Sequence, residues 1–246
     1  ICIFFYYTRN AVFIQRFSAC RGKINFSLKP AFIQTILLCR ESTNIDCLIY
    51  FTERTLDTMR ILIASDIHGS AYYLRQLLKR YQAEQPDKLL LLGDILYHGP
   101  RNDLPEGYAP KEVIDLLNDM KEDILCVRGN CDTDVDQMVL EFPILADYCI
   151  LYEQGHMIFA THGHIHNTAN PPMLKAGDIL LHGHTHIPVI EDFGGKYYIN
   201  PGSVSIPKDG SEHSYMMLED GVFTWKNLNG EAYRQFCLHS GRNNES

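Results

Sequence analysis

Seven side chains in this sequence have the types and spacing to hold divalent cations: Asp66, His68, Asp94, Asn130, His162, His184 and His186. Each follows a short apolar run. Asp66 and His68 come after Arg60–Ser65, and Asp94 comes after Lys88–Leu92 as Gly93-Asp94. Asn130 comes after Ile124–Arg128 in Gly129-Asn130-Cys131-Asp132, and His162 after Met157–Thr161. His184 and His186 come after Ile179–His182 as Gly183-His184-Thr185-His186. Five predicted strands thus release Asp, His or Asn at their C-terminal ends, the edge of an α/β sheet where ligands bind. Singly, these elements are weak. Asp-x-His after a strand is usually a turn and cap, Gly-Asp is a common turn, and His162 has the look of a solvated loop with His164 and His166 nearby. The i, i+2 pair His184 and His186 is the sharpest, because it brings two imidazoles near one point. Together and in this order they point to metal. Imidazole with carboxylate and amide oxygen suits Mn, Fe, Zn or Co better than Ca or Mg. One carboxylate can bridge two ions about 3.5–4 Å apart, the spacing used for in-line displacement at phosphorus.

The elements that must position these groups alternate from Met59 onward. Helical periodicity over Ala71–Gln85 (Tyr73, Leu74, Leu77, Leu78, Tyr81) ends at Pro86, and a second apolar helical face runs over Pro110–Lys121. With the three intervening strands this is a βαβαβ rhythm, which implies a parallel sheet with crossover helices. Later strand candidates follow at short intervals: Tyr148–Glu153, Met157–Thr161, Ile179–His182, Val189–Asp192, Tyr197–Ile199, Tyr215–Glu219 and Val222–Lys226. These predict a more antiparallel sheet, packed face to face on the first with helices outside. Asn200–Pro207 reads as a turn-rich loop supporting the site edge, and residues after His239 as frayed.

Composition bounds the rest. The chain has 246 residues, 46% apolar and 21% charged, with a net charge of −8. It is not built to coat nucleic acid or an anionic membrane. Residues 1–58 hold seven basic and four acidic residues, and the remainder fifteen and twenty-six. The first segment lacks a steady period and the first fold-quality signal begins at Met59. Residues 1–58 are therefore expected to be an N-terminal extension, non-native or disordered, and residues 59–246 the functional domain. Ala31–Cys39 resembles a signal core without its flanks. No apolar run is long enough to span a membrane. Of the eight cysteines, four lie in residues 1–58; the other four, Cys126, Cys131, Cys149 and Cys237, show no CxxC spacing and read as reduced thiols of a cytoplasmic protein. A homo-oligomer is compatible with all of this.

The ordered set Asp66-Ile67-His68, Gly93-Asp94, Gly129-Asn130-Cys131-Asp132, His162 and Gly183-His184-Thr185-His186 resembles the calcineurin-like metallophosphoesterases. The stretches Leu96–Asn102 (LYHGPRN), Leu104–Pro110 (LPEGYAP) and Asn200–Pro207 (NPGSVSIP) are similar to those of the bacterial YfcE-type phosphodiesterases. The resemblance covers Met59 to about residue 230. It implies an α/β fold, a four-layer sandwich of two mixed sheets flanked by helices. It implies two divalent ions, manganese first, with zinc, iron or cobalt as alternatives. Asp66, His68 and His186 would hold one and Asn130, His162 and His184 the other, with Asp94 bridging. A hydroxide bridging the ions would attack phosphorus in a small-molecule phosphodiester. Asn130, Cys131 and His162 are the expected catalytic residues, and His98, Arg101, Asn102 and His164 the expected substrate contacts. Many relatives have His where this chain has Cys131, and that His protonates the leaving group. The exchange predicts esters that depart without much help, with His164 or His98 as a partial acid. His182 is expected to be structural and His213 a surface residue. Two alternatives stand beside this reading: a non-catalytic scaffold of the kind the same fold provides in membrane coats, and a phosphomonoesterase.

Overall fold

The computed structural model describes residues 59–238, together with the backbone of two short strands, β1 (Phe4–Thr8) and β2 (Ala11–Gln15). These two pair antiparallel, Phe4 opposite Gln15 and Thr8 opposite Ala11. The rest of the expected extension, and the tail after Leu238, lie outside the described residues.

From Met59 the elements follow the predicted order. Strand β3 (Ile61–Ala64) leads into α1 (Ala71–Glu84). The helix starts where the Ser70 hydroxyl accepts a hydrogen bond from the Tyr73 N–H, a side-chain cap for an otherwise orphaned donor. It stops at Gln85, whose left-handed φ of 50° precedes Pro86. Strand β4 (Lys88–Leu91) is followed by α2 (Pro110–Asn118), with Pro110 in the first turn, and then by β5 (Ile124–Cys126). A helix to Lys121 was expected. The chain instead closes α2 at Asn118 and tightens into a 3₁₀ turn at Lys121–Asp123. A four-residue helix, α3 (Asp134–Gln137), held by a Thr133–Asp136 capping box, was not expected. The remaining strands are β6 (Tyr148–Glu153), β7 (His156–Thr161), β8 (Ile179–His182), β9 (Val189–Asp192), β10 (Tyr197–Asn200), β11 (Ser214–Glu219), β12 (Val222–Asn227) and β13 (Ala232–Cys237).

Two mixed sheets result, as the resemblance implied. One is ordered β13-β12-β11-β3-β4-β5 and the other β6-β7-β8-β10-β9. Strands β3, β4 and β5 are parallel, as the βαβαβ rhythm required. The sheets do not divide at the chain's midpoint, because β11 returns antiparallel onto β3 and carries β12 and β13 into the first sheet. The five-stranded sheet is itself mixed, with β7, β8 and β10 parallel.

Pleat alternation sorts the side chains into two cores. Leu62, Ala64, Leu89 and Leu91 pack with Leu74 and Leu77 of α1 and Val113 and Leu117 of α2. Their neighbours Ile61, Ile63, Leu90 and Leu92 face the second sheet and meet Ile158, Ala160, Ile179, Leu181 and Ile199. Fully burying one such side chain contributes about 1.5–3 kcal/mol. The helical layer described here is the one on the six-stranded sheet. The outward face of the five-stranded sheet leaves Tyr148, Ile150 and Tyr152 exposed. Because the sheets are stacked, the C-terminal ends of β3, β4, β5, β7 and β8 open at one edge of the sandwich.

Candidate metal centre

Beyond that edge the loops after β3 and β4 run side by side. The N–H groups of Asp66, His68 and Gly69 donate to the carbonyls of Gly93, Asp94 and Ile95, at 3.2, 2.9 and 2.8 Å. The backbone is bent hard here. Nine described non-glycine residues have a positive φ, and five of them are Asp66, His68, Asp94, His184 and His186. A left-handed residue of this kind costs on the order of 1–3 kcal/mol and persists where its surroundings over-determine it. Five expected ligands share that strain and turn their side chains toward one volume.

The geometry of that volume is specific. His68 Nδ1 faces the Tyr97 carbonyl at 2.8 Å, His162 Nδ1 that of Leu92 at 2.7 Å and His186 Nδ1 that of Ile206 at 2.7 Å. A carbonyl can only accept, so each Nδ1 carries a proton and each Nε2 faces inward, a donor to metal once deprotonated. His68 Nε2 and His186 Nε2 lie 3.3 Å apart. Asp66 Oδ1 is 3.2 Å from the His186 nitrogen and 3.6 Å from that of His68, without the alignment of a hydrogen bond to either. Lone pairs this close and this buried fit a shared cation. On the other side His162 Nε2 lies 3.0 Å from Asn130 Oδ1 and 3.1 Å from His184 Nδ1. Asp94 Oδ2 stands between the two groups, 3.7 Å from His68 Nε2 and 3.4 Å from His162 Nε2. All seven expected donors are therefore brought together, and their chemistry fits divalent metal: three buried imidazoles and a half-buried one, two buried carboxylates and an exposed amide oxygen.

Electrostatics agree. Burial alone would raise the Asp66 carboxyl, but His186, His68 and the charge of His162 hold it well below the usual carboxylate range. Burial likewise works against Asp94, and its hydrogen bond and charge interaction with His162 win. Cys131 goes the other way. Burial and then the Asp94 charge push its thiol far above the ordinary range, so it stays neutral, with its N–H on Asp94 Oδ1 at 2.8 Å.

A second set of residues fixes the first. The buried Asp132 carboxylate accepts the N–H groups of Asp94, Ile95 and Gly129 at 2.9, 2.9 and 2.7 Å and ties the β4 loop to the β5 loop. Ser203 and Ser205 hydroxyls donate to the Asp66 carbonyl at 3.0 and 2.9 Å. The Asn200 amide donates to the Gly183 carbonyl and the Thr185 hydroxyl. So the loop Asn200–Pro207 does support the site edge. Gly129 is forced by close approach, since a Cβ there would lie 2.1 Å from Asp94 Oδ1. His182 stacks on Tyr198 at 4.2 Å, in line with the structural role expected for it. His213 departs from expectation: it is half-buried against Tyr73, because its Nδ1 reaches the Val204 carbonyl.

An open cavity of roughly 470 Å³ rises over the centre. Arg101 and Asn102, expected at the substrate, line it, as do His184, Cys131, Thr185 and Lys208. His98 and His164 do not. The His98 ring packs edge-on against Tyr97 and Tyr108, and the His98 carbonyl accepts the Asn102 amide at 2.8 Å. His164 sits beside His162, ring centres 5.5 Å apart.

The calcineurin-like phosphoesterase superfamily domain matches residues 59–220. The chain is 45% identical to Phosphodiesterase YfcE of Escherichia coli K12 over 174 residues, covering 71% of this chain and 95% of that protein. It is 29% identical to the Probable metallophosphoesterase YsnB of Bacillus subtilis over 167 residues, covering 65% and 83%. The solved structure of YfcE, described as a phosphoesterase from E. coli, superposes with a TM-score of 0.71 at 43% identity, over 74% of this chain and all of that one.

Proposed function

The chain belongs to the calcineurin-like phosphoesterase superfamily, and from that premise we propose that it hydrolyses phosphodiesters at a centre of two divalent cations. The observation that carries this reading is the inward-facing donor set: imidazole nitrogens at 3.3 and 3.1 Å from one another, anchored from behind by backbone carbonyls. Asp66, His68 and His186 form one natural group and Asn130, His162 and His184 the other, with Asp94 between them. Manganese is the first choice for both, ahead of zinc, iron and cobalt. When bound, such ions lower the pKa of water and neutralise charge building on phosphoryl oxygens.

The protein's own contribution is placement. Asn130 offers its oxygen to the centre and its amide to the Cys131 sulfur at 3.2 Å. The walls restrict the approach of the ester to one open side. Cys131 occupies the place of the usual general acid with a neutral thiol, a weak donor. Esters with good leaving groups, such as aryl phosphodiesters, are therefore favoured over alkyl esters. A reduced, cytoplasmic setting accords with the four unpaired described thiols, and no described helix is long and apolar enough to cross a membrane.

The test strips the full chain of metal, restores Mn, Zn, Fe and Mg singly, and compares bis-p-nitrophenyl phosphate with p-nitrophenyl phosphate. Metal-dependent turnover with the diester ahead is expected, and Asn130→Ala should abolish most of it. If every metal left both esters untouched, the non-catalytic scaffold reading would replace this one.

A further inference from the structure

We propose that Lys208, acting with Arg101, selects phosphodiesters that carry a second phosphate on one arm of the ester. This rests on the phosphodiesterase reading and names its substrate class.

The argument is one of local charge. The chain as a whole is strongly acidic, at −8. The cavity over the centre inverts that balance. Its lining includes one carboxylate, Asp94, whose oxygens are occupied by the Cys131 N–H and by His68 and His162. Against it stand Arg101, from the loop after β4, and Lys208, from the loop after β10. Lys208 is brought there because its N–H reaches the carbonyl of His186 at 3.3 Å. Elsewhere Arg60, Arg75, Lys121 and Lys226 are paired with Glu219, Glu112, Glu141 and Glu84. Arg101 and Lys208, like Lys79, Lys111 and Lys175, have no hydrogen-bonded or ionic side-chain partner among the described residues, but of these only Arg101 and Lys208 line the cavity.

The reacting phosphate does not need them. Two divalent ions held by the carboxylates of Asp66 and Asp94 leave a net charge of roughly +2, enough to meet the single charge of a diester. Two further cations on the wall above answer to an additional anion. A lone carboxylate would be matched by one cation, whereas a phosphate monoester dianion is matched by two. Arg supplies a planar fork for two oxygens and Lys a mobile point charge. The cavity, at roughly 470 Å³, falls in the range of small-molecule sites and has room for more than the reacting group.

The test uses two substrates that differ by one group, thymidine 5′-(p-nitrophenyl phosphate) and its 3′-phosphorylated form. On the Mn-loaded full chain, kcat/KM should be at least about tenfold higher for the phosphorylated form, the scale of one good charged contact. Lys208→Ala and Arg101→Ala should each shrink that ratio, and Lys208→Glu should bring it near one. Thermal melting confirms that each variant is folded. In parallel, calorimetry compares binding of thymidine 3′,5′-bisphosphate and thymidine 5′-phosphate, with the same ratio and the same losses expected. Turnover of both substrates at equal kcat/KM overturns the proposal, as does a preference that survives all three variants. If neither substrate is cleaved but the binding preference holds and is lost in the variants, the phosphodiesterase reading fails and the second-phosphate site stands. Absence of that binding preference overturns the site itself.

Discussion

At neutral pH the metal-free protein holds a proton on the ligand nitrogen of His162, and loading the centre must expel it. Burial opposes the charged ring, but its hydrogen bond to Asp94 and the charge of Asp66 outweigh it and push the imidazole up to about 9. Its Nδ1 is committed to the Leu92 carbonyl, so the extra proton sits on Nε2, 3.0 Å from Asn130 Oδ1. A metal ligand must be unprotonated. At pH 7, two units below that value, expulsion costs about 3 kcal/mol, or roughly a hundredfold in apparent affinity relative to pH 9. Burial and the Asp66 contact act on His68 with the same net direction, so the proton count per loaded centre is at least one. Titration calorimetry of MnCl₂ into metal-free protein, repeated in buffers of different ionisation enthalpy, reads that count directly. Affinity should rise about tenfold per pH unit from about 7 and level off above about 9. Zero proton release with flat affinity between about pH 7 and 8.5 would refute the reasoning. The same shift bears on stability with a definite sign. The folded value lies above the ordinary 6.5, so the protonated ring stabilises the metal-free fold fully below about pH 6.5, and that stabilisation is lost as pH rises through about 9. Its size is about 3 kcal/mol, and urea midpoints of the metal-free protein should fall accordingly across that window.

Three other perturbations have clear expected outcomes. Asp132→Asn places an amide against three backbone donors that now share a carboxylate, so it should cost about 1–3 kcal/mol in urea unfolding and weaken metal binding through displacement of Asp94. Unchanged metal affinity would mean that the tie between the two loops does not position Asp94. Gly129→Ala drives a methyl to 2.1 Å from Asp94 Oδ1, and should lower stability by about 1–3 kcal/mol and activity with it, read by melting and by turnover. Cys131→His restores a general acid, worth about 10²–10⁴ in favourable cases, and should accelerate alkyl or monoester substrates while barely changing aryl diesters. Equal acceleration of all esters would sink the leaving-group argument.

The clustering of the expected donors was legible because each stands where an apolar run stops, and a chain that buries such a run must release its next residues at a sheet edge. Strands β3 to β5 were legible for a related reason: their apolar runs are separated by helices with one apolar face. Sheet membership was harder. Periodicity reports which faces are buried, not which strand lies alongside, so the return of Ser214–Glu219 onto β3 did not follow from position along the chain. A signal existed, since five of the six residues of that strand are buried, the mark of a central strand. Strand β13 is almost wholly exposed and gave no pattern to read. His98 does not line the cavity although Gly99–Asn102, directly after it, do: its ring packs on Tyr97 and Tyr108, a side-chain choice that nearness in sequence to Asp94 does not reveal. Lys208 is an ordinary exposed lysine until the loop after β10 folds back beside His186. The left-handed backbone at Asp66, His68, Asp94, His184 and His186 was invisible, since none of these is a glycine.

The carbonyl anchors behind the imidazoles have a consequence for biosynthesis. His186 is oriented by Ile206, and Asp66 by Ser203 and Ser205, so the first and last ligands are both set by a loop that follows every donor in the chain. A nascent chain emerging from the ribosome offers only fragments of the coordination sphere until that loop has left the exit tunnel and closed. Metal acquisition is then a late, post-folding event. An ion bound at this centre would then be drawn from the compartment in which folding finishes, where metal availability weighs beside geometry and ligand type.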